Sequence, residues 1–217
     1  GTNKLLGALL GAFQAFLILS VICLGLSLKV ENQQLIENSS LRYVQMLEKP
    51  IFSFMEKDIE RFAEMIGTAG QAVVVSHTNP DGDAIGSSLG LCRILCNIGI
   101  EAKVILPDEY PDYYNFLTEA DEIVVASKDY AHAQAMLEGC DLLVAVDFNN
   151  PSRVDCLEDA LKNCKARKIL IDHHLNPDLE FFDLVFSDNT MSSAAEFVYW
   201  VAISAWGRDV ITQSVAE

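Results

Sequence analysis

Two hydrophobic patterns divide the chain. From Leu5 to Leu28 runs a stretch of 24 residues without a charge, broken among polar side chains only by Gln14, Ser20 and Ser27. At the helical rise it spans about 36 Å, enough to cross a hydrocarbon core of ~30 Å with some tilt. Lys4 and Lys29 bracket it as interfacial anchors. It exceeds the apolar core of a signal peptide, and no small-x-small cleavage site follows. One long apolar helix over residues 1–30, crossing a membrane through residues 5–28, is therefore expected, with 31–54 as a linker or amphipathic tail. A buried soluble helix is the competing reading.

From Met55 onward the period alternates. Asp58–Ile66 reads as an amphipathic helix and Gln71–Ser76, with Val73, Val74 and Val75, as a buried strand. Ala84–Ile98 is helical and ends at Gly99, and Ala102–Leu106 is a strand closed by Pro107. Ile123–Ala126, Leu142–Val146 and Lys168–Ile171 are further strands, separated by helical stretches near 131–138 and 155–164, and Ser192–Trp206 is a closing helix. Continuous apolar strands alternating with helices imply an α/β three-layer sandwich around a mostly parallel sheet, Rossmann-like in kind.

Charge and cysteine narrow the function classes. With 31 acidic and 15 basic side chains the net charge is −16. Residues 1–54 hold Lys4, Lys29, Arg42 and Lys49 against Glu31, Glu37 and Glu48, net +1, so the rest carries −17. Such a surface repels polyanions, which argues against a duplex-DNA binder working through a basic face. The basic excess beyond the apolar run faintly places the C-terminal side in the cytoplasm. The six cysteines lack any C-x-x-C spacing, and Cys92 and Cys96 share a helix face, so reduced, mostly buried thiols are expected rather than a zinc site or disulfide framework.

In parallel sheets ligands bind beyond the carboxyl ends of the strands. Here the first strand is followed by Ser76-His77-Thr78-Asn79-Pro80-Asp81-Gly82-Asp83, the fourth by Asp147 and the fifth by Asp172-His173-His174. Singly, each has a structural reading: His77 as a satisfied strand-end histidine, Asp81 and Asp83 as turn and helix-cap residues, Asp147 as a turn opener. Three strand ends delivering His or Asp to one edge favour a common site. Imidazole and carboxylate donors suit a borderline divalent cation such as Mn²⁺. Paired cations can clamp a phosphate, supply a nucleophile and stabilise a leaving oxyanion. The helix opening after Asp83 offers amides and a positive dipole end, with Gly82 and Gly86 allowing close approach.

These motifs resemble the DHH phosphoesterase superfamily over about residues 56–217. His77-x-x-x-Asp81-x-Asp83 is similar to its first motif, Asp147 to its second and Asp172-His173-His174 to its third. The resemblance implies two Mn²⁺ ions (Mg²⁺ as substitute): one on His77, Asp81 and Asp147, the other on Asp83, Asp147 and His173. It makes His174 the substrate-phosphate contact and leaving-group acid, with Asp172 orienting the histidines. Arg153 is a weaker candidate for the substrate phosphate. Ser192, Ser193 and Glu196 match the family's helix start, where capping is the expected role, and Asp188 is expected to be a plain loop residue. The nearest subgroup degrades very short oligoribonucleotides and dephosphorylates 3′-phosphoadenosine 5′-phosphate, which implies a cytoplasmic catalytic domain, a short RNA or nucleotide substrate and a homodimer.

The family's fourth motif and its basic substrate-binding domain are missing, and Thr212–Glu217 resembles the helix leading to that motif. With Gly1 in place of Met, this points to a fragment whose activity is in doubt. Residues 1–54 weakly resemble the last span of the colicin V production protein family, so two adjacent reading frames joined in one chain is a live reading. Membrane anchoring then holds only if 1–54 belong to the natural polypeptide. The rivals are a manganese inorganic pyrophosphatase, which shares the first three motifs, and a non-catalytic membrane-anchored interaction module.

Overall fold

The computed structural model describes residues 56–216. The expected apolar span and the tail behind it lie outside the described residues. Among the described residues no helix is long and apolar enough to cross a membrane.

Six strands form one sheet: β1 (Gln71–Val75), β2 (Glu101–Leu106), β3 (Val124–Val125), β4 (Leu142–Val146), β5 (Arg167–Asp172) and β6 (Leu184–Ser187). Their order is β3-β2-β1-β4-β5-β6 and every pairing is parallel. This is the doubly wound arrangement, whose order reverses between β1 and β4 and opens a crevice at the carboxyl edge there. The central strands carry almost no polar side chain because both faces are covered: all five residues of β4 are buried.

The helices are α1 (Glu56–Gly67), α2 (Gly82–Asn97), α3 (Tyr130–Gly139), α4 (Glu158–Asn163), α5 (Ala194–Trp206) and the short α6 (Gln213–Ala216). On one face Ala133 and Leu137 of α3 and Leu161 of α4 pack with Val73, Val75, Leu143, Ala145 and Leu170 of the sheet. On the other, α2 packs against α5, and Phe62 of α1 meets Phe186 of β6 edge-on with ring centroids 5.6 Å apart. Phe186 in turn meets Phe197 of α5 at 6.3 Å. Alternate residues of each strand thus feed two separate cores, and each large buried side chain stabilises the domain by about 1.5–3 kcal/mol.

The expected elements form, with instructive differences. α2 begins at Gly82, two residues before the expected start, because the Asp81 side chain caps it. Gly99 takes φ +92° just past its end, a conformation that suits glycine. β3 keeps only two of four expected residues, since the Ile123 amide closes a 3₁₀ turn onto Ala120. The stretch 155–164 is two pieces, the end of a 3₁₀ segment Pro151–Leu157, itself kinked where Asp155 turns to φ 43°, and then α4. β6 is an unexpected sixth strand. Of the described cysteines all five are free thiols, with Cys92, Cys140 and Cys164 buried but Cys96 and Cys156 exposed.

Candidate metal and phosphate site

The register of the sheet fixes where the polar residues emerge. Val75 lies beside Ala145, and Val146 beside Ile171. Ser76, fully buried, donates its hydroxyl to the Val146 carbonyl at 2.9 Å, and the Asp147 amide donates to the Ile171 carbonyl at 3.2 Å. His77, Asp147 and Asp172-His173 therefore leave three neighbouring strands at one rim.

Asp147 is the centre of what gathers there. Its side chain is 3% exposed, with Oδ2 3.4 Å from His77 Nε2 and Oδ1 3.4 Å from His173 Nε2. His174 Nδ1 lies 3.8 Å from the same Oδ1. The backbone of Asp147 adopts φ +63°, a region that Asp and Asn tolerate better than other side-chain-bearing residues. The turn aims the carboxylate back across the strand ends.

Two of the histidines are held through Nδ1. His77 Nδ1 donates to the Thr78 carbonyl at 2.8 Å, which leaves Nε2 as the lone-pair nitrogen facing Asp147. His174 Nδ1 donates to Asp172 Oδ1 at 2.7 Å, while its backbone amide donates to Asp172 Oδ2 at 3.1 Å. Asp172 is fully buried, so this clamp sets the ring and leaves His174 Nε2 directed elsewhere.

Asp81 and Asp83 divide two tasks. Asp81 Oδ1 accepts the amides of Asp83 at 2.9 Å and Ala84 at 3.1 Å, so the amides expected to greet a phosphate are already engaged by the cap. Asp83 accepts the amides of Ala194 at 2.7 Å and Ala195 at 2.9 Å, the first turn of α5, and its Oδ2 lies 3.6 Å from His173 Nε2. One carboxylate thereby ties the starts of two helices to the site. Gly82 is required by packing: a Cβ there would stand 3.0 Å from the Tyr114 hydroxyl. At Gly86 a Cβ would meet no atom within 4 Å, so no packing within the described residues demands glycine there.

Among the described residues, two groups bring ligand atoms within 4.8 Å of one another: His77 with Asp81 and Asp147, and Asp147 with His173 and His174. They share Asp147. Its Oδ1 is buried and has no hydrogen-bond partner, a costly condition unless a cation meets it. Burial pushes the Asp147 carboxyl above its ordinary pKa, with Asp83 and Asp81 adding to the rise and His77 opposing it. Contact with Asp147 raises His77 above its ordinary value against the pull of burial. The imidazole and carboxylate donor set fits divalent ions.

Other expected residues fall as follows. The Arg153 carbonyl accepts the Thr78 amide at 2.8 Å, so Arg153 adjoins the His77 loop, while its exposed guanidinium has no protein partner among the described residues. Ser193 caps α5 by accepting the Glu196 amide at 3.0 Å. Glu196 Oε2 takes the Ser192 amide at 3.0 Å and hydroxyl at 2.6 Å, the capping role expected. Asp188 closes its own turn onto Thr190.

Sequence reasoning missed Asp108, whose Oδ2 accepts the Thr78 hydroxyl and the Asn79 amide, bracing the loop between His77 and Asp81. The signal was present: Asp108 follows β2 at the same edge, one residue beyond Pro107. It missed Asn149 as well, whose side-chain amide donates to the Leu175 carbonyl at 2.7 Å and ties the loop after β4 to the loop after His174.

The family model described as DHH family, N-terminal domain, matches residues 71–217. The cyclic-di-AMP phosphodiesterase PdeA of Listeria monocytogenes is 33% identical over 62% of this chain and 21% of its own length. The bifunctional oligoribonuclease and PAP phosphatase NrnA of Thermus thermophilus is 35% identical over 59% of this chain and 35% of its own. Among solved structures, an exopolyphosphatase-related protein of Bacteroides fragilis superposes with TM-score 0.72 at 32% identity, covering 74% of this chain and 47% of that one. The chain thus matches about a fifth to a third of the length of these curated relatives.

Proposed function

The chain belongs to the DHH family, and on that premise we propose that it carries the metal site of a hydrolase of phosphoester bonds in short oligonucleotides or small nucleotides such as 3′-phosphoadenosine 5′-phosphate. The observation that carries the reading is the buried, unpartnered Oδ1 of Asp147 beside His173 and His174, with His77 on its Oδ2, at one rim. Relatives named as an oligoribonuclease and PAP phosphatase and as a cyclic-di-AMP phosphodiesterase support the substrate class.

His77, Asp81 and Asp147 would hold one ion. Asp147, His173 and Asp83 would hold the other. His174 sits as near Asp147 as these, but its Nδ1 is committed to Asp172, so it serves the substrate through Nε2. Mn²⁺ suits mixed imidazole and carboxylate donors, with Mg²⁺ as substitute. When bound, such ions supply Lewis acidity at a phosphoryl oxygen and acidify water. The chain's own residues orient and neutralise. Asp147 draws both donor groups together, Asp83 fixes the start of α5 against them, and Asp172 holds the His174 ring through Nδ1 so that Nε2 is left for the substrate, where it donates to a phosphate or departing oxygen when it carries a proton. Arg153, whose carbonyl accepts the Thr78 amide, would add a charge-assisted contact to the phosphate.

The test is turnover by Mn²⁺-loaded protein of di- to pentaribonucleotides, 3′-phosphoadenosine 5′-phosphate and inorganic pyrophosphate. Cleavage of a nucleotide substrate that His77→Ala abolishes supports the proposal. Pyrophosphate as the sole substrate would replace it with the pyrophosphatase reading. No turnover of any of the three, with ions shown to be bound, would reject it.

A further inference from the structure

We propose that Tyr113 and Phe116 form a stacking platform for a base of the substrate, an inference that rests on the nucleotide reading above. Both rings stand in solvent, 68% and 77% exposed, three residues apart on one segment. The segment bearing them is nonetheless braced. Asp108 grips the His77 loop at Thr78 and Asn79. The Tyr110 hydroxyl donates to the Ala120 carbonyl at 2.7 Å. Arg93, 6% exposed, donates to Glu119 Oε2 at 3.1 Å and to the Thr118 carbonyl. Exposed aromatics on a tethered turn are preorganised for a ligand, since little is lost in holding them when it arrives.

Their position relative to the chemistry comes through Tyr114. Its hydroxyl packs on Gly82, the residue between Asp81 and Asp83, and its ring centroid is 4.5 Å from that of Tyr113. Tyr113 is thus one ring removed from the carboxylates. Charge selects which part of a nucleotide goes there. Residues 107–122 contain six acidic side chains and no Lys or Arg; Glu109, Glu119 and Glu122 are paired with Lys128, Arg93 and Lys103, so the net negative charge of that surface rests on Asp108, Asp112 and Asp121. That surface repels phosphate but accepts an uncharged aromatic ring. The phosphate then lies toward His174 and Arg153, and the base toward Tyr113 and Phe116. Loss of one base–aromatic stack corresponds to about 5–150-fold in affinity.

The test is equilibrium dialysis of a phosphorothioate adenine dinucleotide, and of pyrophosphate as the base-free probe, with Mn²⁺-loaded wild type, Tyr113→Ala, Phe116→Ala and Tyr113→Phe. Circular dichroism checks that each variant is folded. The expected result is dinucleotide Kd raised at least about fivefold in both alanine variants, pyrophosphate Kd unchanged, and Tyr113→Phe within about twofold of wild type. Dinucleotide Kd unchanged in the alanine variants overturns the platform while leaving the proposed function standing. Equal weakening of pyrophosphate also overturns it, because the turn would then act on the metal site and not on a base. A wild type that binds no dinucleotide sinks the platform together with the reading beneath it.

Discussion

Replacing Asp147 by asparagine separates what this carboxylate does for a cation from what it does for the fold. Asparagine keeps the shape and tolerates the φ of +63°. It removes a charge that is 3% exposed and whose Oδ1 has no partner. In metal-free protein the sign follows from the two raised pKa values. A carboxyl raised above its unfolded value contributes stability at acid pH that is lost as pH rises from about 3.8 through the folded value. His77, also raised, contributes stability present below about 6.5 and lost as pH climbs through its own folded value. Above the carboxylate range, where the depressed Asp141 and Glu196 no longer titrate, metal-free wild type should therefore lose stability from pH 5.5 to 7.5, and Asp147→Asn should flatten that slope and melt at or above wild type near pH 7.5. With Mn²⁺ at about 100 times Kd, mass action adds about 2.7 kcal/mol to wild type. For a domain of roughly 150–250 residues that is a rise in Tm of about 5–11 °C. Asp147→Asn should show no rise. Differential scanning calorimetry with and without Mn²⁺ at pH 5.5 and 7.5 makes the comparison. A metal-free variant that melts well below wild type, or one that retains the metal-induced rise, refutes the reasoning.

Asp83→Ala should behave in the opposite way, losing about 2 kcal/mol, or roughly 4–8 °C in Tm, without metal, because the Ala194 and Ala195 amides lose their acceptor. Asp172→Asn should leave ion binding by calorimetry intact while lowering kcat about 10–100-fold, since an amide no longer dictates the His174 tautomer. Asp108→Ala should weaken Mn²⁺ affinity about tenfold, measured by titration, through loss of the brace on Thr78 and Asn79.

The sheet was legible because its strands are buried on both faces and so read as unbroken apolar runs, Leu142–Val146 most plainly. β6 was less legible: Leu184, Val185 and Phe186 are too few to stand out between polar neighbours, and only pairing with Ile169–Asp172 makes them a strand. The site was legible at β1, β4 and β5, where polar residues stand directly at strand ends. What stayed hidden depends on contacts remote in sequence. Nothing local to Asp83 shows that its acceptors' partners lie 111 and 112 residues away. Asp108 was within reach of the same edge rule and was screened by the turn signal of Pro107. The expectation that the start of α2 would offer free amides failed because Asp81 serves as ligand candidate and helix cap together.

The left-handed turn at Asp147 has one more consequence. Two filters act on that position independently: the proposed chemistry asks for a carboxylate, and the backbone favours glycine, asparagine or aspartate over longer side chains. Their overlap is a single amino acid. Glutamate, the usual conservative exchange, passes the first filter and fails the second at about 1–2 kcal/mol, besides carrying its charge one carbon too far. Drift at this residue is thus closed in both directions, with no neighbouring substitution that keeps half the function.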